Sequence, residues 1–487
     1  MIKSKKKEEK INKARGNRIL VPKVGFLIIG TPAPFSGYVF PMKGMFEKLK
    51  EKAIGKLEDA GLKVIQLDRY VTTPEEAIDA VREMDQKNVD IIVYFSASWV
   101  DSSVIYAAVL EKDFPFVIWG VSADGGGEST FSYIGSQANV TSLREIGKRF
   151  KYILNFSEES VREITIYAKA AAIVKKLRKS RVGMIGYITR AHHYDVMIDP
   201  IGVQRVLGPK VVSIDTMRLM NEIANITDIE TRQFIRKLRK KFKKVEGTEQ
   251  VMLKTAKLSL ALYHLKKEFR LDAIAIKCQP ELSEYYGASA CLPASMMIDE
   301  GIPVSCEADV NSAILMLIMY YFTGKASFHT DVWAFDEKTQ TLLCSHCGVG
   351  AFSLAADKSE VKICSHEGDH VMEEKGKFGG LFPNFWIKPG KVTLAALTGR
   401  EKSFRMQVSN GTIVDSEKET GEGVRRLKHA YWARRWPRAL VRISDLKDFH
   451  DKMVAHHYVI IHGDLEQELK EVSDLLNVKF NIDYGTH

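Results

Sequence analysis

Two acidic clusters in the middle of the chain carry side chains that could do chemistry. The first, K-C-Q-P-E-L-S-E-Y-Y-G, holds Glu281 and Glu284, and the second, I-P-V-S-C-E-A-D-V-N, holds Glu307 and Asp309. Both clusters lie in apolar sequence, where a buried carboxylate is costly unless a cation or a hydrogen-bonding group pairs with it. A divalent metal ion would pair with these acids, and so would a purely structural network of salt bridges.

A third element, far downstream, favours the metal ion. The stretch A-H-H-Y-V-I-I-H-G-D carries His456 and His457. Carboxylate oxygens combined with one imidazole suit a hard or borderline ion such as Mn²⁺, Mg²⁺ or Co²⁺. In such a set, one carboxylate can bind the ion while its neighbour transfers protons. Alternatively, His457 is a core histidine whose ring nitrogens form hydrogen bonds within the protein.

The elements that precede the two clusters would bring them to one edge of a sheet. The strand-like segment D-A-I-A-I-K-C (272–278) ends at the first cluster, and I-P-V-S-C (302–306) ends at the second. Ligands of open α/β sheets gather outside the carboxyl ends of the strands. Both clusters therefore lie where a site is expected.

The wider pattern predicts two Rossmann-like domains with doubly wound parallel sheets. Apolar strand-like runs, beginning with V-G-F-L-I-I-G (24–30) and R-V-G-M-I-G-Y-I (181–188), alternate with helical segments. Continuous apolar strands of this kind are typical of parallel sheets covered on both faces. Thr73-Pro74-Glu75-Glu76 predicts one helix start, since it supplies a capping threonine, a proline in the first turn and two acids.

After residue 355 the pattern changes to short β-like runs separated by Gly, Asn and Asp turns, which predicts an antiparallel barrel or sandwich. We therefore predict an α/β protein with two Rossmann-like doubly wound domains and a C-terminal antiparallel β-barrel. The predicted divisions are a charged tail at 1–21, the Rossmann-like domains at 22–175 and 176–354, and the barrel at 355–487.

Composition narrows the class of protein. The 487 residues are 45% hydrophobic and 27% charged, as in soluble globular proteins. The net charge of +10 is spread over Lys-rich helices, which favours solvated faces over a nucleic-acid groove. The start of the chain has no apolar signal segment, and the longest apolar run, 314–322, is too short to span a membrane. We expect a cytoplasmic protein that binds neither nucleic acid nor a membrane.

A cysteine motif offers a competing metal site. Cys344 and Cys347 in C-S-H-C, with Cys364 and either His366 or His370, could hold zinc, as in a zinc-dependent hydrolase. However, the first pair ends a β-like run, and extended backbone would direct the two sulfurs to opposite faces.

Two further motifs carry weaker signals. The glycines at 125–127 lack the spacing of a phosphate-binding loop, so a turn is the favoured interpretation. Y-W-A-R-R-W-P-R (431–438) mixes aromatic residues with arginines, as RNA-binding surfaces do, but also as sugar pockets and packed strand ends do.

The ordered motifs resemble the L-fucose isomerase and L-arabinose isomerase superfamily. The similarity is close over residues 270–350 and runs through K-C-Q-P-E-L-S-E-Y-Y, C-E-A-D-V-N-S-A-I-L-M-L, T-G-K-A-S-F-H-T-D-V, L-C-S-H-C-G and H-H-Y-V-I. The resemblance implies an aldose–ketose isomerase built from two Rossmann-like domains and one β-barrel. It also implies a homo-oligomer, a trimer or hexamer, with sites near the subunit interfaces.

The fucose isomerase branch, to which Q-P-E-L-S-E points, implies Mn²⁺ bound at Glu281, Asp309 and His457, with Glu281 and Asp309 as the catalytic acids. Mg²⁺ and Co²⁺ are the alternative ions. In this interpretation the two acids move a proton between C2 and C1 of an open-chain sugar such as L-fucose or D-arabinose.

The arabinose isomerase branch implies a different set, in which Glu307, Asp331 and His346 join His457. The resemblance further implies that Trp99, in S-A-S-W, and Trp436, in R-W-P, contact the substrate. A non-catalytic sugar-binding or regulatory protein on the same fold is the rival function, because a fold does not fix an activity.

Overall fold

The computed structural model describes residues 20–30, 43–126, 130–187, 193–367, 379–419, 421–429 and 435–484. These ranges exclude nearly all of the predicted charged tail, and they also exclude His370 and the first part of the motif at 431–438. The chain forms two compact units, one of Leu20–Lys175 and one that contains Lys176–His487.

The N-terminal unit is built around a five-stranded parallel sheet with the strand order 2-1-3-4-5. In chain order its strands are Lys23–Ile29, Lys63–Val71, Ile91–Ser96, Phe116–Gly120 and Lys151–Leu154. The three central strands are almost continuously apolar and buried, as the sequence predicts for a sheet covered on both faces, whereas the two edge strands are partly exposed. The helices are Lys43–Asp59, Pro74–Gln86, Ser102–Glu111, Ser132–Glu145 and Glu158–Leu177, with a 3-10 turn at Ala123–Gly125.

The predicted helix start at Thr73 is confirmed. The Thr73 hydroxyl accepts a hydrogen bond from the Glu76 backbone N–H at 3.3 Å. The Glu76 carboxylate in return accepts from the Thr73 backbone N–H at 3.2 Å. This capping box satisfies backbone donors that would otherwise lack partners in the first turn of Pro74–Gln86.

The second unit begins with a four-stranded parallel sheet whose strand order is 2-1-3-4. Its strands are Arg181–Ile185, Lys210–Ile214, Ala273–Ile276 and Val304–Cys306. Its helices are Pro200–Gly202, Thr216–Asn225, Asp228–Lys241, Glu249–Glu268, Cys291–Asp299 and Val310–Thr323, with π-helical turns at Val203–Leu207 and Glu281–Tyr286. Both predicted acidic clusters follow strands of this sheet, as expected.

A seven-stranded sheet occupies the C-terminal part of the same unit. Its strands are Phe328–Asp336, Thr341–Ser345, Gly390–Arg400, Ser403–Ile413, Arg438–Ile443, His457–His462 and Lys479–Phe480. A separate two-stranded sheet pairs Lys362–Ser365 with Leu381–Asn384. The helices are Glu422–His429, Leu446–Asp451 and Glu466–Leu476, with 3-10 turns at Phe352–Leu354 and Lys358–Glu360.

The large sheet departs from the prediction in two ways. It is mixed rather than purely antiparallel, because Lys479–Phe480 pairs in parallel with Ser403–Ile413. It also includes Phe328–Asp336 and Thr341–Ser345, which precede residue 355. The strand Gly390–Arg400 pairs with both Ser403–Ile413 and His457–His462, so the hydrogen-bonded pairings connect six strands in a ring. Among the helices of the described ranges, none combines the length and apolarity that a membrane crossing requires.

The capping box at Thr73 predicts a stability change with a matched control. Thr73→Ala removes the acceptor for the Glu76 N–H and should lower the free energy of unfolding by about 1 kcal/mol. Thr73→Ser keeps a hydroxyl in place and should retain most of that stability. Urea denaturation of the full chain, followed by circular dichroism, measures both. Equal losses in the two variants would show that the cap does not stabilise the helix.

Candidate metal centre

A strained turn carries the second acidic cluster. Glu307 and Ala308 follow the strand Val304–Cys306 with φ angles of +59° and +57°, a left-handed conformation that side chains with a Cβ rarely adopt. Asp309 then caps the helix Val310–Thr323. Such backbone strain persists only where surrounding contacts enforce it, and it is concentrated at functional sites.

Asp309 is buried and its oxygens are already engaged. Oδ1 accepts a hydrogen bond from the Ser312 backbone N–H at 3.0 Å, and Oδ2 accepts one from the Ser312 hydroxyl at 2.6 Å. Oδ2 also lies 2.9 Å from Nδ1 of His457. Burial lowers the pKa of His457 to about 3, so its ring is neutral and donates its one N–H to Asp309. The lone pair on Nε2 is therefore available to a metal ion.

The register of the large sheet places an acid beside this nitrogen. Asp331 lies directly opposite His457 on the neighbouring strand, and the next strand presents Ser345 opposite Asp331. Residues paired in this way project to the same face of the sheet. His329 lies two residues before Asp331 and so projects to that face as well.

Two carboxylates and a second imidazole converge on Nε2 of His457. Asp331 Oδ1 lies 3.5 Å from this nitrogen, Glu307 Oε2 lies 4.0 Å from it, and His346 Nε2 lies 3.4 Å from it. Both of these carboxylate oxygens are buried and make no hydrogen bond within the described residues. Burial raises the pKa of Glu307 to about 7. These carboxylate oxygens are buried without a hydrogen-bond donor among the described residues and lie around an imidazole lone pair. A divalent cation would bind such a set of oxygen and nitrogen atoms and compensate their burial.

His346 is oriented differently from His457. Burial opposes a charge on His346, but Cys347 and Asp331 raise its pKa overall to about 10. We nevertheless place a single proton on Nε2, because Nδ1 accepts the backbone N–H of Cys347 at 2.9 Å and must keep its lone pair. That Nε2 lies 3.9 Å from Asp331 Oδ2. His346 Nε2–H therefore donates to the lone pair on Nε2 of His457, 3.4 Å away, and a metal ion bound by His457 would replace this hydrogen bond.

A histidine–carboxylate pair borders the centre. His456 Nδ1 lies 2.6 Å from Asp195 Oδ2, and the same oxygen accepts the His456 backbone N–H at 2.9 Å. Burial opposes the charge of His456, but the hydrogen bond and charge of Asp195 raise its pKa overall. Glu307, His456 and His457 each bring one potential ligand atom within 4.8 Å of the others.

The other predicted site residues have different surroundings. Oε1 of Glu281 forms a salt bridge with Lys277 Nζ at 2.7 Å, and its Oε2 is buried without a hydrogen-bond partner in the described ranges. Trp436 is 2% exposed and packs edge-on against Trp333, with ring centroids 5.7 Å apart. Trp99 belongs to the N-terminal unit, where its side chain is 50% exposed.

The cysteines of the competing zinc motif do not gather into one set. Cys344 is fully buried within the strand Thr341–Ser345. Cys364 lies on the small two-stranded sheet, 3.9 Å from the Asn384 side chain. Cys347 instead shares a small cavity with three other cysteines, Cys278, Cys291 and Cys306.

Sequence reasoning missed His329 and Asp195. His329, His346 and His457 form a second cluster, in which one ring nitrogen of each residue lies within 4.8 Å of a ring nitrogen of the other two. Burial and the two neighbouring histidines lower the pKa of His329, so this ring is neutral. The motif T-G-K-A-S-F-H-T-D-V contains both His329 and Asp331 at a two-residue spacing, which in a strand places them on one face.

Comparisons of the sequence with known proteins find isomerases. A family model described as "L-fucose isomerase, C-terminal domain" matches residues 344–483. A sulfoquinovose isomerase from Alkalicoccus urumqiensis is 24% identical over 421 residues, which cover 84% of this chain and 89% of that protein. A sulfoquinovose isomerase from Priestia aryabhattai is 22% identical over 444 residues, covering 90% of this chain and 95% of that protein.

A solved structure gives a weaker likeness. An ABC transporter solute binding protein from Burkholderia multivorans covers 63% of this chain at 14% identity, with a TM-score of 0.18. A score this low carries no argument about the fold.

The hydrogen bonds predict opposite tautomers for two neighbouring histidines. In metal-free protein, His457 should carry its proton on Nδ1 and His346 on Nε2. His457, with a pKa of about 3, should stay neutral from about pH 8 to pH 6, where an unperturbed histidine starts to take up a proton. Nitrogen-15 NMR of histidine-labelled protein distinguishes the tautomers, and His457→Gln and His346→Gln assign the signals. A proton on Nε2 of His457 would contradict the proposed orientation of its lone pair.

Proposed function

The chain is an L-fucose isomerase-like protein, and we propose that it is a metal-dependent aldose–ketose isomerase. One observation carries the proposal: the lone pair of His457 faces two buried carboxylate oxygens that have no hydrogen-bond donor in the described residues. A protein that only bound a sugar would have no need to bury these acceptors together around an imidazole. The relatives named above are isomerases, which supports the reaction class.

We propose Glu307, Asp331 and His457 as the residues that would hold the ion. This choice differs from the set Glu281, Asp309 and His457, because Asp309 bonds the opposite ring nitrogen and Glu281 is paired with Lys277. Glu307 and Asp331 supply hard oxygen ligands, which together with one imidazole suit Mn²⁺, with Mg²⁺ or Co²⁺ as alternatives. When bound, such an ion polarises a carbonyl group and makes the neighbouring C–H more acidic.

The chain's own residues would orient the sugar and move its protons. One carboxylate of the pair Glu307 and Asp331 would take a proton from C2 of the open-chain aldose and return it to C1 of the enediol, while the other carboxylate stays on the ion. His346 Nε2–H donates towards the sugar oxygens that change between carbonyl and hydroxyl. Asp309 acts through His457 as a positioning residue, and Asp195 does the same for His456.

We infer the substrate class from the names of the relatives. All four of the related proteins bear the name sulfoquinovose isomerase, so we propose an aldose substrate and place sulfoquinovose first, before L-fucose and D-arabinose. The ring of six paired strands supports a C-terminal β-barrel. Six free cysteines support a reducing cytoplasm, and the homo-oligomer implied by the resemblance remains part of the proposal.

The activity is tested by ketose formation with and without metal. Purified protein is stripped with EDTA and then incubated with sulfoquinovose, L-fucose, D-arabinose or L-arabinose. We expect no turnover after stripping and recovery on addition of Mn²⁺, since the proposed carbonyl polarisation requires the ion. Equal turnover before and after stripping, with no metal detected by mass spectrometry, would contradict metal dependence.

Substitutions distinguish the two proposed ligand sets. Glu307→Gln and Asp331→Asn should each weaken Mn²⁺ binding and reduce turnover by about 10²–10⁴-fold, because each removes a charged ligand or a proton-transfer group. Glu281→Gln is the matched control and should keep Mn²⁺ affinity, measured by titration calorimetry, since Glu281 pairs with Lys277. If Glu281→Gln abolished binding and Glu307→Gln did not, the set Glu281, Asp309 and His457 would be favoured instead.

A further inference from the structure

Four of the six cysteines surround one small cavity beside the candidate metal centre. Cys278, Cys291, Cys306 and Cys347 line a space of about 10 Å³, and Glu307 forms part of the same wall. A space of this size admits roughly one water molecule. We propose that Cys347 is a site of oxidation by hydroperoxides, and that it then forms a reversible disulfide with Cys291 or Cys306.

Cys347 is the central sulfur of the group. It shares the cavity wall with Cys291 and Cys306, and the thiols of both interact with its side chain. The Cys291 sulfur also lies 2.6 Å from the Cys347 carbonyl oxygen, and the Cys347 sulfur lies 3.2 Å from Nδ1 of His346. Cys278 is engaged elsewhere, since its sulfur accepts the backbone N–H of Ala290 at 3.4 Å.

The four thiols differ in their access to solvent. Cys278 and Cys347 are partly exposed residues, whereas Cys291 and Cys306 are only 2% and 3% exposed. An oxidant from solution therefore reaches Cys278 or Cys347 before it reaches either buried neighbour, and Cys347 is the one whose side chain interacts with both buried thiols. An accessible sulfur flanked by buried thiols is the arrangement in which a first oxidation product is captured as a disulfide.

The chemistry uses a hydroperoxide as the two-electron oxidant. The Cys347 thiol gives up its proton and its sulfur attacks one peroxide oxygen. An S–O bond forms, the O–O bond breaks, and the leaving oxygen takes up that proton and departs as an alcohol or water. The sulfur of Cys291 or Cys306 then attacks the Cys347 sulfur, an S–S bond forms, and the S–O bond breaks with loss of water. Overall, two thiols lose two electrons and two protons, and one peroxide is reduced.

The disulfide would alter the metal centre, and this consequence rests on the proposed function. Cys306 is the chain neighbour of Glu307, and Cys347 is the neighbour of His346. Joining either buried sulfur to Cys347 would shift the backbone that aims His346 into the centre, because Cys347 also donates its N–H to that ring. Oxidation is therefore expected to reduce Mn²⁺-dependent turnover at least tenfold, and a dithiol reductant should restore it.

The disulfide is tested on the full chain without reference to activity. Native protein is treated with hydrogen peroxide, its remaining thiols are alkylated, and it is cleaved after glutamate. Cleavage at Glu281, Glu300 and Glu307 separates Cys278, Cys291 and Cys306 into different peptides. Mass spectrometry should find a dithiol-sensitive cross-link between the peptide that contains Cys347 and that of Cys291 or Cys306.

Matched variants identify the sulfur. Cys344 occupies the same glutamate-cleaved peptide as Cys347, but it is fully buried within a strand, so Cys344→Ala should leave the cross-link intact. Cys347→Ser should abolish it and leave the other thiols reduced. A peroxide-treated protein that keeps six free thiols, or a cross-link that survives in Cys347→Ser, would overturn the proposal. If the fully reduced protein had no isomerase activity, that result would count against the proposed function but not against the disulfide.

Discussion

The hydrogen bond between Asp309 and His457 is the interaction on which the candidate centre depends. It joins the first turn of a helix in the parallel part of the second unit to the first residue of a strand in the large sheet. Asp309 performs two tasks with one carboxylate, since it caps the helix through Ser312 and fixes the tautomer of His457. Because both residues are buried, loss of Asp309 would leave Nδ1 of His457 without its partner, whereas Asp309 would keep its two hydrogen bonds from Ser312 if His457 were lost.

The strained turn before Asp309 has a physical reason in this arrangement. Only two residues, Glu307 and Ala308, connect the strand Val304–Cys306 to the helix cap. Within that length Asp309 must point towards Nδ1 of His457 while Glu307 points towards Nε2 of the same ring. The left-handed backbone at Glu307 and Ala308 lets two residues approach opposite nitrogens of a single imidazole. The strain is therefore offset by contacts that the centre itself provides.

The sequence predicts where in the fold the candidate centre lies better than it predicts the role of each acidic residue there. Alternating apolar strands and helices indicate the parallel sheets, and strand ends indicate the location of the acidic clusters, because both depend on local patterns. The roles of the acids depend on partners. Glu281 has Lys277 four residues earlier, and Asp309 has Ser312 three residues later, a spacing typical of a helix cap. Both local partners are visible in the sequence, and they support the proposal that Glu307 and Asp331, rather than Glu281 and Asp309, hold the ion.

Asp331 could not be chosen in the same way, because its position depends on the register between two strands that lie more than a hundred residues apart. Pairing with His457 places Asp331 beside the free nitrogen, whereas a shift of one residue would turn it to the other face of the sheet. The mixed pairing of the last strand and the early start of the large sheet at Phe328 are likewise long-range features. Local periodicity carries no information about them.

The cysteines show how closely two kinds of chemistry are placed in this fold. In one chain segment, Cys306 lines the cavity and the next residue, Glu307, approaches His457. In another segment, His346 approaches His457 and the next residue, Cys347, lines the cavity. At both segments, neighbouring residues thus belong to the candidate metal centre and to the thiol cluster. The proposed disulfide would displace a sulfur and, through the shared backbone, the neighbouring acid or imidazole. Oxidation of these cysteines would therefore change the geometry around His457.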